Sequence, residues 1–370
     1  MNVLVTGGAG FIGSHVVDAL LAQGHSVRVL DSLDPQVHDG PPEYLSADAE
    51  LVQADVRDRG AVAACLAGIE RVVHLAAAVG VGQSMYEIER YTSVNTMGAA
   101  ALLEELVAAR DRIEKMVVAS SMSIYGEGLY RCESEGVELS PRTRPDAQLR
   151  AREWEPRCPS CGETLRAVPT SESTTLTPES IYAINKRDHE EMFLITGRAY
   201  AIPATALRFF NVYGPRQALS NPYTGVAAIF SARLLNGRPP VIFEDGGQSR
   251  DFVHVFDVAA AVLAALEPGA GDGEAINVGT GRAITVSEVA DVLARELGVE
   301  HEPEVRNVFR AGDIRHCYSD ISRARESLGY APGVAFEDGM RELVAWLSES
   351  TAHDRVDEAT AALEERGLTI

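Results

Sequence analysis

Cationic side chains are scarce in this sequence: 33 Lys and Arg stand against 54 Asp and Glu, a formal charge of −21. Such a chain repels nucleic acid and anionic membrane surfaces, so neither is expected as a partner. An anionic ligand would need a local cluster of arginine or lysine. Long hydrophobic runs are also missing, since none reaches the roughly 18 residues that span a bilayer. The chain opens on the strand-like run Asn2–Thr6, without the charged flank, apolar core and cleavage site of a signal peptide. Cysteine is sparse, five in 370 residues, which is not the pattern of a secreted disulfide framework. These absences point to the cytoplasm. What is present is a globular composition, 46% hydrophobic, long enough for one large domain or two. There is no internal repeat.

The amino-terminal half alternates strand and helix patterns. Asn2–Thr6 reads as a buried strand, followed at once by Gly7-Gly-Ala-Gly10-Phe-Ile-Gly13 and a helical run over 14–23. Glycines at this spacing let the backbone turn tightly and approach a pyrophosphate, and the helix N-terminus supplies N–H groups for that anion. The next strand ends at Asp31, where a carboxylate can accept both ribose hydroxyls and repel a 2′-phosphate, which favours NAD over NADP. Further strands over 51–56, 71–77 and 116–120 bring Asp55, Leu75 and Ser121 to carboxyl ends, where ligands bind in such sheets. The pattern predicts an α/β fold of Rossmann type: a doubly wound parallel sheet with a smaller mixed α/β lobe. His74 reads as a packed strand residue.

Thr177-Pro-Glu-Ser-Ile-Tyr182-Ala-Ile-Asn-Lys186 predicts the start of a long helix, with Pro178 in its first turn and Thr177 or Ser180 as cap. Tyr182 and Lys186 then lie one turn apart on one face. An ammonium beside a phenol favours the phenolate, so the pair could act as a general base while hydride leaves the same carbon. The Ser121 hydroxyl could meet the same substrate oxygen.

Taken with Arg208-Phe-Phe-Asn211-Val-Tyr-Gly-Pro215 and Arg250-Asp-Phe-Val-His-Val, these motifs resemble the extended short-chain dehydrogenase/reductases that act on nucleotide sugars. The resemblance covers 1–128 and 171–348. It implies an NAD-binding domain over 1–215, with 129–170 as an insertion, and a nucleotide-sugar lobe mainly over 216–370, some of which returns to the first domain. For NAD it implies Gly7, Gly10, Phe11, Ile12 and Gly13 at the pyrophosphate and Asp31 at the ribose. Asp55 and Val56, the run Leu75, Ala76 and Ala77, and Asn95, Tyr182, Lys186 and Phe210 complete that set. Ser121, Tyr182 and Lys186 are the implied catalytic residues. Ser121, Tyr182, Asn211, Arg216, Val241, Phe243, Arg250, Arg310 and Asp313 are implied at the substrate, with Arg250 and Arg310 on the diphosphate and Asp313 at a ribose hydroxyl. Arginine suits phosphate because it pairs bidentately and stays charged. Arg315 is a further candidate, weighed against a surface ion pair. A homodimer through 93–109 and 182–198 is usual in the family.

The insertion is polar and rich in Arg, Glu and Pro, with neither helix nor strand periodicity. It carries Cys132 and the knuckle-like Cys158-Pro-Ser-Cys161-Gly. Two thiolates in one tight turn resemble half of a structural zinc site, with Cys132 a third ligand and Glu135 an unusual fourth. A metal site lost by drift, a redox-labile pair and simple turn chemistry stay open. A cover over the sugar pocket and a subunit contact are both compatible with its position.

The family shares oxidation at sugar C4. Its dehydratases carry an Asp-Glu pair after the serine, where this chain has Met122 and Ser123; its decarboxylases usually place Glu at the position of Ser123. Epimerases at C3 or C5 need further acid/base side chains near that loop. What is left is a 4-epimerase that retains NAD and returns hydride to the other face of a 4-keto sugar. The insertion and the run Arg216–Tyr223 resemble epimerases of deoxysugar pathways, so a dTDP-6-deoxyhexose such as dTDP-L-rhamnose is expected, with UDP-hexose or UDP-uronate next. A dehydratase or decarboxylase drawing an acid from elsewhere, and a non-catalytic NAD-binding scaffold or sensor, are the competing readings.

Overall fold

The strand residues alternate their side chains between two apolar layers, which is what a sheet covered on both faces requires. The computed structural model describes residues 1–38, 40–217, 225–300, 302–310, 312–348, 361 and 364–368. Seven strands form the central sheet: β1 Asn2–Thr6, β2 Ser26–Asp31, β3 Glu50–Gln53, β4 Arg71–His74, β5 Lys115–Ser121, β6 Ala204–Phe209 and β7 Ala275–Val278. Their order is β7-β6-β5-β4-β1-β2-β3, and every pairing is parallel. The expected doubly wound sheet is therefore present. Its seventh strand, only four residues long, carried no separate signal.

Val3, Val5, Val29, Val73, Val117 and Leu207 point to one face, under helices α1 (Phe11–Ala22) and α6 (Val255–Leu266). Leu4, Leu30, Val72, Met116 and Val118 point to the other. There they meet α2 (Arg59–Cys65), α3 (Gly98–Ala108) and α4 (Ile181–Tyr200). A π turn, Ser93–Met97, leads into α3. The smaller lobe has its own core, built by α5 (Val226–Leu235), α7 (Val286–Leu297) and α8 (Phe336–Ser348). Beside these helices run the short strands Val241–Ile242 and Phe252–His254. No helix among the described residues is long and apolar enough to cross a membrane.

The insertion is more ordered than its composition suggests. Leu129–Cys132 pairs antiparallel with both Val137–Leu139 and Arg166–Val168, and Asp146–Arg150 is a short helix. These strands are three or four residues long, too short to display an alternating pattern. The polar loop read over 217–225 and the charged tail read over 354–366 fall largely outside the described residues, as does most of the run Arg216–Tyr223.

Candidate active site

α4 begins one turn later than Pro178 suggests. Ser180 is its cap, accepting the Ala183 N–H at 3.1 Å, and Pro178 lies in the approach. Thr177 instead ties that approach to the sheet end by donating to the Tyr125 carbonyl at 2.8 Å. Tyr182 is the second helical residue; its N–H donates to Ser84 Oγ at 3.1 Å. Ser84 is a supporting residue that the motifs do not reveal, because a lone serine in a short helix has no pattern.

Tyr182 and Lys186 lie on one face, one helical turn apart. Lys186 Nζ donates to the Ala119 carbonyl at 3.1 Å and sits 6.0 Å from the Tyr182 ring centre. Burial dominates both groups: it pushes the phenol up to about 12, against an opposing hydrogen bond from Ser121, and pulls the Lys186 ammonium down to about 8. Both shifts favour the neutral form, since each charge loses its water. Ser121 Oγ also accepts from the Ser123 hydroxyl at 3.0 Å and the Ser123 N–H at 3.2 Å. Ser123 thus orients Ser121, a role hidden by reading its position only for a missing acid.

A cleft of about 670 Å³ runs across the carboxyl ends of the strands. It is lined at one end by Gly7, Gly10, Phe11, Ile12, Gly13 and Asp31, along its length by Asp55, Val56, Leu75, Ala76 and Ala77, and at the other end by Ser121, Tyr182, Lys186, Phe210 and Asn211. Asn95 is behind the wall instead. Fully buried, it accepts from the Ala78 N–H at 2.8 Å and donates to the Ala78 carbonyl at 3.1 Å, holding the lining strand-end in place.

The glycine end fits a dinucleotide. Gly7 has φ +70°, and a Cβ on Gly13 would lie 2.1 Å from the Gly7 carbonyl oxygen. α1 starts from Gly10 with no side-chain cap and no acidic residue in its first turn, so its N–H groups are free for an anion. Asp31 accepts the N–H groups of Ala9 and Leu33, each at 3.0 Å, which fixes the carboxylate at the cleft wall. The nearby arginines are already paired: Arg57 with Asp55 at 2.6 Å and Arg90 with Glu87 at 2.7 Å. At the other end Asn211 Oδ1 is buried with no partner among the described residues, an acceptor waiting for a donor. Among the described residues the acids lining the cleft are Asp31 and Asp34 near the glycines and Asp55 along its length. Ser121 and Tyr182 have no carboxylate beside them in that lining.

The remaining expected substrate residues lie outside this lining. Arg310 pairs with Asp313 at 2.8 Å and lies 4.5 Å above the Phe243 ring. Arg250 donates to the Ser249, Ile314 and Arg315 carbonyls and forms no ion pair with a carboxylate among the described residues, though its charge reaches the buried Glu127. Val241 is buried in its strand. Arg216, at φ +67°, pairs with Asp18 at 2.7 Å on the α1 side. Arg315 makes no surface pair: it is buried against Glu244, Asp245 and Glu155. Arg208 and Asp251, from the two long motifs, are structural. Arg208 grips Glu190 of α4 at 2.5 and 2.9 Å, and Asp251 accepts from Thr280, Gly281 and Ser319.

The cysteines converge as well. Cys132, Cys158 and Cys161 are free thiols with sulfurs all within 4.8 Å of one another. Glu135 is exposed and outside that group. His74 is packed in the core, stacked on Phe193 and held neutral by burial, its imidazole pulled down to about 3.

The sequence pattern of the NAD dependent epimerase/dehydratase family matches residues 3–148 and 159–279. The chain belongs to this family. The match continues into the insertion, breaks off over 149–158, up to the first cysteine of the CPxC turn, and ends at 279. A dTDP-L-rhamnose 4-epimerase of Burkholderia thailandensis is 37% identical over 356 residues, covering 94% of this chain and 95% of the relative. Two solved structures superpose along nearly their whole length. The Thermotoga maritima UDP-glucose 4-epimerase with UDP-glucose has a TM-score of 0.77 at 34% identity, covering 94% of this chain and 99% of that one. The Thermus thermophilus UDP-glucose 4-epimerase complex with NAD has a TM-score of 0.75 at 32% identity, covering 95% of this chain and 100% of that one. With such relatives the chain is an enzyme, an isomerase of this family.

Proposed function

We propose that this protein is an NAD-dependent 4-epimerase of a nucleoside-diphosphate sugar, acting on a dTDP-6-deoxyhexose such as dTDP-L-rhamnose. The observation that carries the reaction type is the chemistry at the Ser121 end of the cleft: a serine, a tyrosine and a lysine, with no carboxylate beside them among the described lining residues. In this reading Tyr182 accepts the proton of the sugar C4 hydroxyl while Ser121, oriented by Ser123, holds the same oxygen. Bound NAD would take hydride from C4 and return it, so no net oxidation results. Lys186, one helical turn from Tyr182, would supply the positive charge that a phenolate needs, because burial favours the neutral form of both groups. Tyr182 then gives its proton back to the inverted alkoxide. Loss of water or carbon dioxide would need a further acid or base at a neighbouring carbon, and among the described lining residues no carboxylate stands beside Ser121 and Tyr182.

Asp31 supports NAD over NADP, since a 2′-phosphate would meet its fixed carboxylate. Arg250, held by three carbonyls and in no ion pair among the described residues, and the Phe243/Arg310/Asp313 cluster support a diphosphate and ribose in the smaller lobe. The dTDP-deoxyhexose assignment rests on the Burkholderia relative; UDP-hexose, as in the two structures above, is the second choice. Met97, Ile184 and Ile195 are exposed on the run into α3 and on α4, which supports a homodimer through those helices. A zinc ion in the cysteine cluster belongs to the same proposal and takes no part in hydride transfer.

The test is incubation with a panel of dTDP- and UDP-sugars followed by proton NMR. A product of unchanged mass with inverted C4 couplings supports the assignment and names the sugar. A product lighter by water or carbon dioxide refutes it.

A further inference from the structure

The insertion has little apolar core of its own. One cluster joins Tyr130, Cys132, Cys158 and Leu165, and another sets Leu149 and Trp154 against Phe309. Small units with so few apolar contacts need a crosslink, and the cysteines here form no disulfide.

The two turns that bring the cysteines together are alike. In Cys158-Pro-Ser-Cys161-Gly162 the Gly162 N–H donates to the Cys158 carbonyl at 2.9 Å, with φ +78° at the glycine. In Cys132-Glu-Ser-Glu135-Gly136 the Gly136 N–H donates to the Cys132 carbonyl at 2.9 Å, with φ +66°. Each turn offers its first and fourth residues, and Glu135 holds the place that Cys161 holds in the twin. Neighbouring carboxylates are engaged, Glu133 with Arg166 and Glu163 with Ser134. Glu135 is exposed and makes no hydrogen bond or ion pair among the described residues.

We propose that Cys132, Cys158 and Cys161 bind one zinc ion, that Glu135 closes the tetrahedron, and that the ion fixes an arm reaching into the substrate lobe. Thiolates at ~2.3 Å from a tetrahedral zinc lie about 3.8 Å apart. Three sulfurs within 4.8 Å reach that arrangement with small side-chain adjustments. A disulfide is the poorer use of the site: Cys132 and Cys161, now 3.5 Å apart, would have to close to about 2.05 Å and would leave Cys158 over. On coordination each thiol gives its proton to solvent and each sulfur donates an electron pair, with no change of oxidation state.

Arg144 and Glu155 lie in the chain between the two turns. Arg144, fully buried, donates to Glu244 at 2.8 Å and to the Asp313 carbonyl at 3.1 Å. Glu155 meets His316 at 2.9 Å and Arg315 at 2.8 Å. The ion would thus anchor both ends of the segment that positions the Phe243 loop and the Arg310–Asp313 turn. This second part, unlike the metal content, rests on the reading of that cluster as a sugar-nucleotide site.

Elemental analysis of the full chain, purified without a polyhistidine tag, tests the site. One zinc per chain is expected, and replacement by Co²⁺ should give intense thiolate-to-cobalt absorption with tetrahedral visible bands. Cys158→Ser should lose the metal, Glu135→Ala should bind it more weakly in a chelator competition, and Glu135→Cys more tightly. Metal-free wild-type protein whose three thiols all react with a disulfide reagent, or a Cys132–Cys161 disulfide found by mass spectrometry, overturns the site even where Cys158→Ser fails to fold. For the arm, zinc removal should raise KM for the sugar nucleotide several-fold and leave NAD binding unchanged. An unchanged KM overturns the arm alone. Absence of turnover on every sugar tested counts against the epimerase and leaves the zinc result standing.

Discussion

At residue scale the proposed chemistry uses two buried groups, Tyr182 and Lys186, whose charged forms burial disfavours. Tyr182→Phe removes the proton acceptor and leaves the cleft wall intact. Turnover should fall by about 10²–10⁴-fold with NAD still bound, measured by single-turnover kinetics and by cofactor content. Lys186 has a linkage consequence. Its folded value of about 8 lies below the ordinary 10.5, so between those values the unfolded chain binds the extra proton. This residue's contribution therefore makes stability rise with pH across that window, and below pH 8 the lysine is a full burden. Lys186→Met should stabilise the protein at pH 7 by about 1–3 kcal/mol while abolishing turnover, and denaturant melts at pH 7 and pH 10 should show the gain shrinking at the higher pH. Tyr182 works in the opposite sense above pH 10, where its raised value makes folding less favourable as pH rises.

At the scale of elements, α4 and the first βα turn carry the site. Arg208 of β6 binds Glu190 of α4 with both buried, and Ser120 adds a 2.8 Å hydrogen bond to the same carboxylate. Arg208→Met leaves that carboxylate buried and unpaired, and should cost about 3–5 kcal/mol in a denaturant melt. Adding Glu190→Leu should recover part of the loss; a double variant no more stable than the single one would show that packing, and not charge, holds the helix. At the turn, Gly13→Val would put a side chain into the Gly7 carbonyl, so NAD affinity measured by calorimetry should fall at least ~10-fold. Gly7–Gly13 and the Tyr182/Lys186 spacing were legible because each is a local pattern with a fixed flanking order. Ser84, Ser123 and the inward role of Asn95 were not, since each acts by a contact made across the fold. Arg315 reads in sequence equally as a substrate residue or a surface ion pair, because nothing in its own segment announces the buried Glu244 and the insertion's Glu155.

At the scale of the molecule, the alternation of strands and helices makes the seven-stranded parallel sheet readable, apart from its short last strand. The smaller lobe and the insertion are legible only in part. Their strands are two to four residues long, too short for a period, and their positions depend on ion pairs between distant segments. A chain with a formal charge of −21 has few local charges to draw an anionic substrate, and the proposed function gives Arg250 that role. Arg250→Met should raise KM for the sugar nucleotide steeply with kcat less affected, and steady-state kinetics would separate the two.

The reaction type itself is tested most directly by running the conversion in heavy water and reading the product by NMR. Hydride removed from C4 and returned to C4 never exchanges with solvent, and the described lining shows no carboxylate beside Ser121 and Tyr182. The product should show inverted C4 with no deuterium on any ring carbon. Deuterium at C3 or C5 would reveal a carbon acid being deprotonated, and the assignment of Tyr182 and Ser121 to a simple 4-epimerisation would be contradicted.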